Sequence, residues 1–199
     1  MRTPRPLTAL LGRPNLPYGL VIYRTTYSPV SETHFPTILQ VINALFVDDM
    51  KKHDDQDEYQ PVIMDDQTRF DGLSLDDVRK HFQSYLENRD RSQSEMCTDF
   101  CVVIDEDVVW RMRNVNPVDD PAVYFDQYWS HFGHQWWVKT VNAHWGVKHE
   151  DDDEDEDGDG EQEPWFKCSV FAIWGLWDDM SRGLAMSTVM SFEGDVYYL

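Results

Sequence analysis

The chain predicts an α+β fold: a single layer of helices packed on a mixed sheet, with a ferredoxin-like arrangement as the candidate topology and one disordered acidic loop. Three observations carry this. Strand-like and helix-like segments follow one another in the order β-α-β-α-β-α-β-β-α. Apolar residues recur at helical spacing over residues 31–49, 74–89 and 169–180. A chain of 199 residues with eight tryptophans and ten phenylalanines can fill one sizeable core and is short for two.

Residues 1–17 read as a flexible lead-in, and residues 18–199 as one domain with an acidic insertion at 150–163. The run from Tyr18 to Tyr27 is rich in β-branched and aromatic residues and is stopped by Ser28-Pro29, which predicts a strand. Phe35, Ile38, Leu39, Ile42, Leu45 and Phe46 then form one stripe over a helix at 31–49, with Ser31 or Thr33 as its cap. Residues 50–60 are polar and read as a loop, and 61–64 as a short strand. Ser74 caps a helix whose first turn carries Asp76 and Asp77, where the helix dipole favours negative charge. Residues 99–104 read as a strand, and Asp105 as the cap of a short helix to about Asn114.

Residues 122–134 are aromatic and fit either a helix or irregular packing. Residues 135–148 alternate in a way that predicts a strand at an edge or partly exposed. Beyond the acidic run, 165–168 reads as a strand and Ser169 as the cap of a last helix holding Val170, Ile173, Trp174 and Trp177 on one face. Val196 to Leu199 reads as extended.

The formal net charge is −20, and eleven of the 37 acidic residues lie between Glu150 and Glu163. Such a balance repels phosphate backbones and anionic lipid, so neither nucleic acid nor a membrane surface is expected as partner, and a basic protein is. Three cysteines with no C-x-x-C pair do not make a disulfide framework, and no apolar run is long enough to span a bilayer. Arg2, Arg5 and Arg13 precede the first acidic residue, as in a mitochondrial presequence, yet Pro4, Pro6, Pro14 and Pro17 would break a targeting helix. An intracellular, cytoplasmic setting is expected, with no cofactor.

The segment Tyr18 to Pro29 with its following helix, the Leu75-Asp-Asp-Val78 helix, and the strand Phe100–Ile104 followed by Asp105 and Val108 resemble a family of small uncharacterised proteins of filamentous fungi. The likeness spans residues 18–181 and rests on structural motifs, including a Trp-rich strand and helix near the end. It implies a fungal setting and no chemistry, and the acidic insertion departs from it.

Candidate sites are each matched by a plainer reading. Asp153, Asp155, Asp157 and Gly158 fit the opening of a calcium loop, but Pro164 stands where the bidentate glutamate belongs. With Asp151, these carboxylates read better as a solvated arm or a docking segment for a basic partner. His131 and His134 are spaced to share a metal on a helix, against which Gly133 argues. Asp105, Glu106 and Asp107 could hold an acid–base pair, or simply cap a helix. Arg24, a charge in an apolar strand, forms an ion pair, lies at an exposed strand end or contacts an anion. Arg24, Tyr23, Trp136 and Trp145 are the candidate lining of an aromatic pocket between sheet and helices. No motif specifies a reaction. The leading expectation is a non-catalytic interaction or regulatory domain with an acidic docking loop; the alternative is a small-molecule-binding domain or enzyme of ferredoxin-like type.

Overall fold

The computed structural model describes residues 18–52, 59–89, 95–96, 99–144, 165–181 and 196–197. Strand β1 (Tyr18–Gly19) leads directly into β2 (Val21–Arg24), every residue of which is buried. Pro29 ends the extended run and opens α1 (Pro29–Lys52), standing where its missing N–H is no loss. Ser28 is the residue that caps this helix, its Oγ accepting from the Ser31 amide at 3.2 Å. The expected cap Ser31 is buried instead and donates its hydroxyl to the Thr26 carbonyl at 2.7 Å. Seven apolar residues of α1, from Phe35 to Met50, are buried, each contributing roughly 1.5–3 kcal/mol before chain entropy is subtracted.

Strand β3 (Val62–Met64) follows, then a single turn, α2 (Gln67–Phe70), and α3 (Leu75–Asn88). The cap of α3 is the expected one, with Ser74 Oγ accepting from the Asp77 amide. A two-residue strand, β4 (Glu95–Met96), pairs with β1 apart from the main sheet. Strand β5 (Phe100–Ile104) is wholly buried and runs into α4 (Glu106–Met112), capped by Asp105. The ambiguous aromatic segment is a helix, α5 (Pro121–Phe132), started by Asp120 and by Pro121 in its first turn. Strands β6 (Trp137–Asn142) and β7 (Trp165–Ser169) flank the acidic insertion, and α6 (Ile173–Ser181) and β8 (Val196–Tyr197) complete the described chain. Helix α6 begins three residues later than expected, because Ser169 remains in β7 and its Oγ accepts from the Phe171 amide in the intervening turn.

The main sheet has six strands in the order β3-β2-β5-β6-β7-β8. Strands β3, β2 and β5 are parallel, β6 opposes β5 and β7, and β8 runs parallel to β7. From β2 the chain steps outward to β3, then returns past β2 to β5. Crossovers between parallel strands are right-handed, so steps in opposite directions place their helices on opposite faces. The two cores follow that rule: α1, α4, α5 and α6 pack with Leu20 and Ile22, while α3 packs with Val21 and Tyr23.

The α+β class and the mixed sheet stand; the single helix layer does not, because alternate residues of β2 are both apolar and both faces need cover. The ferredoxin-like arrangement is also replaced. A split βαβ separates its two parallel strands, whereas β2 and β3 are hydrogen-bonded neighbours. Strand β6, expected at an edge, is internal, and its alternation fails where Trp136, Trp137 and Val138 are all buried in one core.

Candidate functional site

The first concentration of chemistry lies at the carboxyl ends of the adjacent parallel strands β2 and β5, from which α1 and α4 leave onto the same face of the sheet. Arg24 ends β2 there with 6% exposure. Its Nη2 reaches Glu32 Oε1 at 2.5 Å and Ser31 Oγ at 3.2 Å, its Nε donates to the Thr26 carbonyl at 3.0 Å, and Nη1 lies 3.5 Å from Asp65. The guanidinium is sandwiched between the rings of Tyr27 and Phe35, 4.3 and 4.6 Å from their centroids. Glu106 accepts from the hydroxyls of Thr26 at 2.5 Å and Ser28 at 3.0 Å, and Asp105 pairs with Lys139 at 2.5 Å. Each charge in this network has a partner within the chain, so it ties the strand ends to α1 and α4. Arg24 is thus a structural ion pair.

Tyr23 leaves β2 on the other face. It is fully buried, and its hydroxyl lies 2.8 Å from His81 Nδ1. Burial raises the pKa of this phenol, keeping it neutral.

The second concentration is a groove of about 340 Å³ between the last turn of α1, the middle of α5 and one side of α6 with the turn before it. Phe125, Trp129, Phe171 and Trp174 line it with Gly175, and Asp49, Asp178 and Asp179 supply carboxylates. The Phe125 and Trp129 rings stack one helical turn apart, 5.5 Å between centroids, and the Phe171 ring stands nearly perpendicular to both at 5.6 Å. Trp174 is fixed by stacking on Trp177 at 4.9 Å and by the edge of Phe46. Asp179 accepts from the Tyr197 hydroxyl at 3.1 Å, and burial raises that tyrosine's pKa. Aromatic faces beside carboxylates attract cations twice over, through the ring quadrupole and through charge.

One cation already displays this recognition. Lys52 Nζ lies 2.7 Å from Asp48, 3.0 Å from Asp49 and 5.1 Å from the Phe125 ring centroid.

The predicted pocket residues do not converge. Tyr23 and Arg24 point to opposite faces, Trp136 is buried between the Phe132 and Phe171 rings, and Trp145 lies outside the described residues. His131 and His134 are exposed at the end of α5, and no group of three His, Cys, Asp or Glu side chains is placed to hold a metal among the described residues. The segment with Asp151, Asp153, Asp155 and Asp157 lies outside the described residues, as do residues 1–17. Among the described residues, no helix is long and apolar enough to cross a membrane.

The groove residues come from three separate stretches of the chain, which hides them from any local pattern. One signal was available. Asp48 and Asp49 near the end of α1, and Asp178 and Asp179 in the last turn of α6, stand where the helix dipole disfavours negative charge.

No family model matches this chain, and no curated protein or solved structure is significantly similar to it.

Proposed function

We propose that this chain is a non-catalytic interaction domain that engages a basic segment of a partner protein through the acidic, aromatic groove. The observation that carries the reading is the corner of Phe125, Trp129 and Phe171 beside Asp49, Asp178 and Asp179. A lysine-bearing segment would set its ammonium among those carboxylates and lay its methylene stem on the rings.

The topology adds a second support. Helices α1 and α6 run back from the carboxyl ends of β2 and β7, so Asp49, Asp178 and Asp179 lie toward the opposite end of the sheet. Strand β6 finishes at that same end with Asn142, and β7 begins there with Trp165. The described strands on either side of the eleven acidic residues of 150–163 thus both reach the groove's end of the sheet, which supports reading that run as a docking arm that raises the encounter rate of a basic partner.

The test is titration of an oligolysine peptide into the full chain and into Trp129→Ala and Asp178→Asn/Asp179→Asn variants, with unfolding midpoints confirming that each variant folds. Equal affinity across all three proteins would remove the groove from the reading. A second reading, a small organic cation as ligand, is favoured by the volume, which falls within the range of small-molecule sites of roughly 300–1,000 Å³. Binding of tetramethylammonium as tight as that of the peptide would select it.

A further inference from the structure

Lys52 touches two of the residues that line the groove. Its Nζ donates to Asp49, at 3.0 Å, and faces the Phe125 ring, at 5.1 Å, while Asp48 adds a charge contact at 2.7 Å. The surrounding carboxylates raise its pKa above the ordinary lysine value, burial opposing them, so the side chain stays charged. The side chain remains 46% exposed, and an ion pair at such a surface is weak. The contact is thus real enough to define a geometry and weak enough to be exchanged.

That geometry discriminates among cations. An ammonium is a compact tetrahedral donor, able to point separate N–H bonds at two carboxylates and a ring face. A guanidinium is a plane with its donors in one fork, suited to a single carboxylate met edge-on or to stacking flat on a ring. Around Lys52 the carboxylates come from adjacent residues of one helix and the ring from another helix, α5, which is the arrangement that suits the tetrahedral donor.

We infer that the groove selects an ammonium group over a guanidinium, and that Lys52 is its built-in competitor, occupying Asp49 and the face of Phe125 until a ligand's ammonium displaces it. This rests on the proposed reading of the groove as a site for a basic partner. Residue 51 supplies the control: Lys51 carries the same charge one position earlier but lines a different cavity, with Gln40, Asn43, Ala44, Val47, Asp48 and Pro121.

The experiment measures calorimetric affinities of the full chain for oligolysine and for an oligoarginine of equal length, in wild type, Lys52→Met, Lys51→Met and the double variant Lys52→Met/Asp49→Asn. Release of a surface ion pair predicts that Lys52→Met tightens oligolysine binding about threefold beyond Lys51→Met, which reports the change in overall charge alone. That gain disappears in the Asp49→Asn background, and oligolysine binds wild type more tightly than oligoarginine. If Lys52→Met and Lys51→Met bind oligolysine alike, the competitor role is overturned while the groove reading stands. If oligoarginine binds as tightly as oligolysine, the ammonium selectivity is overturned. If neither peptide binds wild type or Lys52→Met, the groove reading fails and takes the inference with it.

Discussion

Arg69 Nη2 lies 2.9 Å from His81 Nε2, and because an arginine can only donate, that ring nitrogen must accept. The proton of His81 is therefore on Nδ1, where it is donated to the Tyr23 oxygen at 2.8 Å. One guanidinium on the surface thus sets the tautomer of a histidine and, through it, the orientation of a fully buried phenol.

A pH dependence follows from this relay. Burial first, and the Arg69 charge second, hold the His81 pKa below the ordinary 6.5. Near that value the unfolded chain binds more protons than the native one, so stability rises with pH. The contribution is whole above pH 6.5 and is lost as the pH falls through the lower folded value. Urea unfolding of wild type and His81→Gln at pH 7.5 and 5.0 should show the wild-type advantage shrinking at the acid value. An advantage that grew instead would mean that the fold favours the protonated ring and would overturn the lowered pKa.

Arg24 should behave as a structural cation. Its removal strips hydrogen bonds from Thr26, Ser31 and Glu32 and empties the space between two rings. Arg24→Ala is expected to lower unfolding free energy by about 3 kcal/mol, the scale of a broken buried ion pair. Arg24→Lys should recover only part of this, since an ammonium cannot lie flat between Tyr27 and Phe35 or reproduce the fork.

Gly19 has no space for a side chain. An added Cβ would fall 2.6 Å from the Gln60 carbonyl carbon and 2.9 Å from Pro61 N, both backbone atoms that cannot rotate away. Gly19→Ala should therefore destabilise by roughly 1–3 kcal/mol, as overpacking does, measurable as a lowered denaturant midpoint.

Cys101 and Cys168 are fully buried, and desolvation pushes the Cys168 thiol far above its usual pKa. A thiolate is the reactive form, so alkylation of native protein followed by peptide mass spectrometry should leave both unmodified until denaturant is added. Labelling of either in the native state would contradict the packing of β5 or β7.

The peptide affinity proposed for the groove should fall steeply with salt, because several carboxylates act together and are screened beyond about 10 Å at 0.1 M. Deleting residues 150–163 should flatten that salt dependence, and an unchanged slope would remove the docking-arm role.

What was legible in the chain was local. The stripe through Phe35, Ile38, Ile42, Leu45 and Phe46 announces α1 by its spacing, and Ser74 and Asp105 announce helix starts because a short oxygen-bearing side chain before an apolar run has one common use. The run Phe100–Ile104 reads as a strand, and it is one, buried along its whole length. What was illegible was relational. Nothing in Val62 to Met64 says that it joins β2 on the side away from β5, and so nothing revealed that α3 crosses on the far face. Helix α5 carries aromatics around much of its circumference, which blurs its period, and only the Asp120-Pro121 start marks it. The groove needs Asp49, Phe125, Phe171 and Asp178 together, and their meeting depends on where three helices lie.

The position of β2 carries a consequence for biosynthesis. Its second parallel neighbour is completed only at Ile104, about 40 residues after β3 ends at Met64. At roughly 5–20 residues per second, the nascent chain presents one flank of Val21–Arg24 without its mate for about 2–8 s. During that interval its row of unsatisfied amides and carbonyls, flanked by Val21 and Ile22, is an adhesive edge of the emerging polypeptide that a ribosome-associated chaperone would cover.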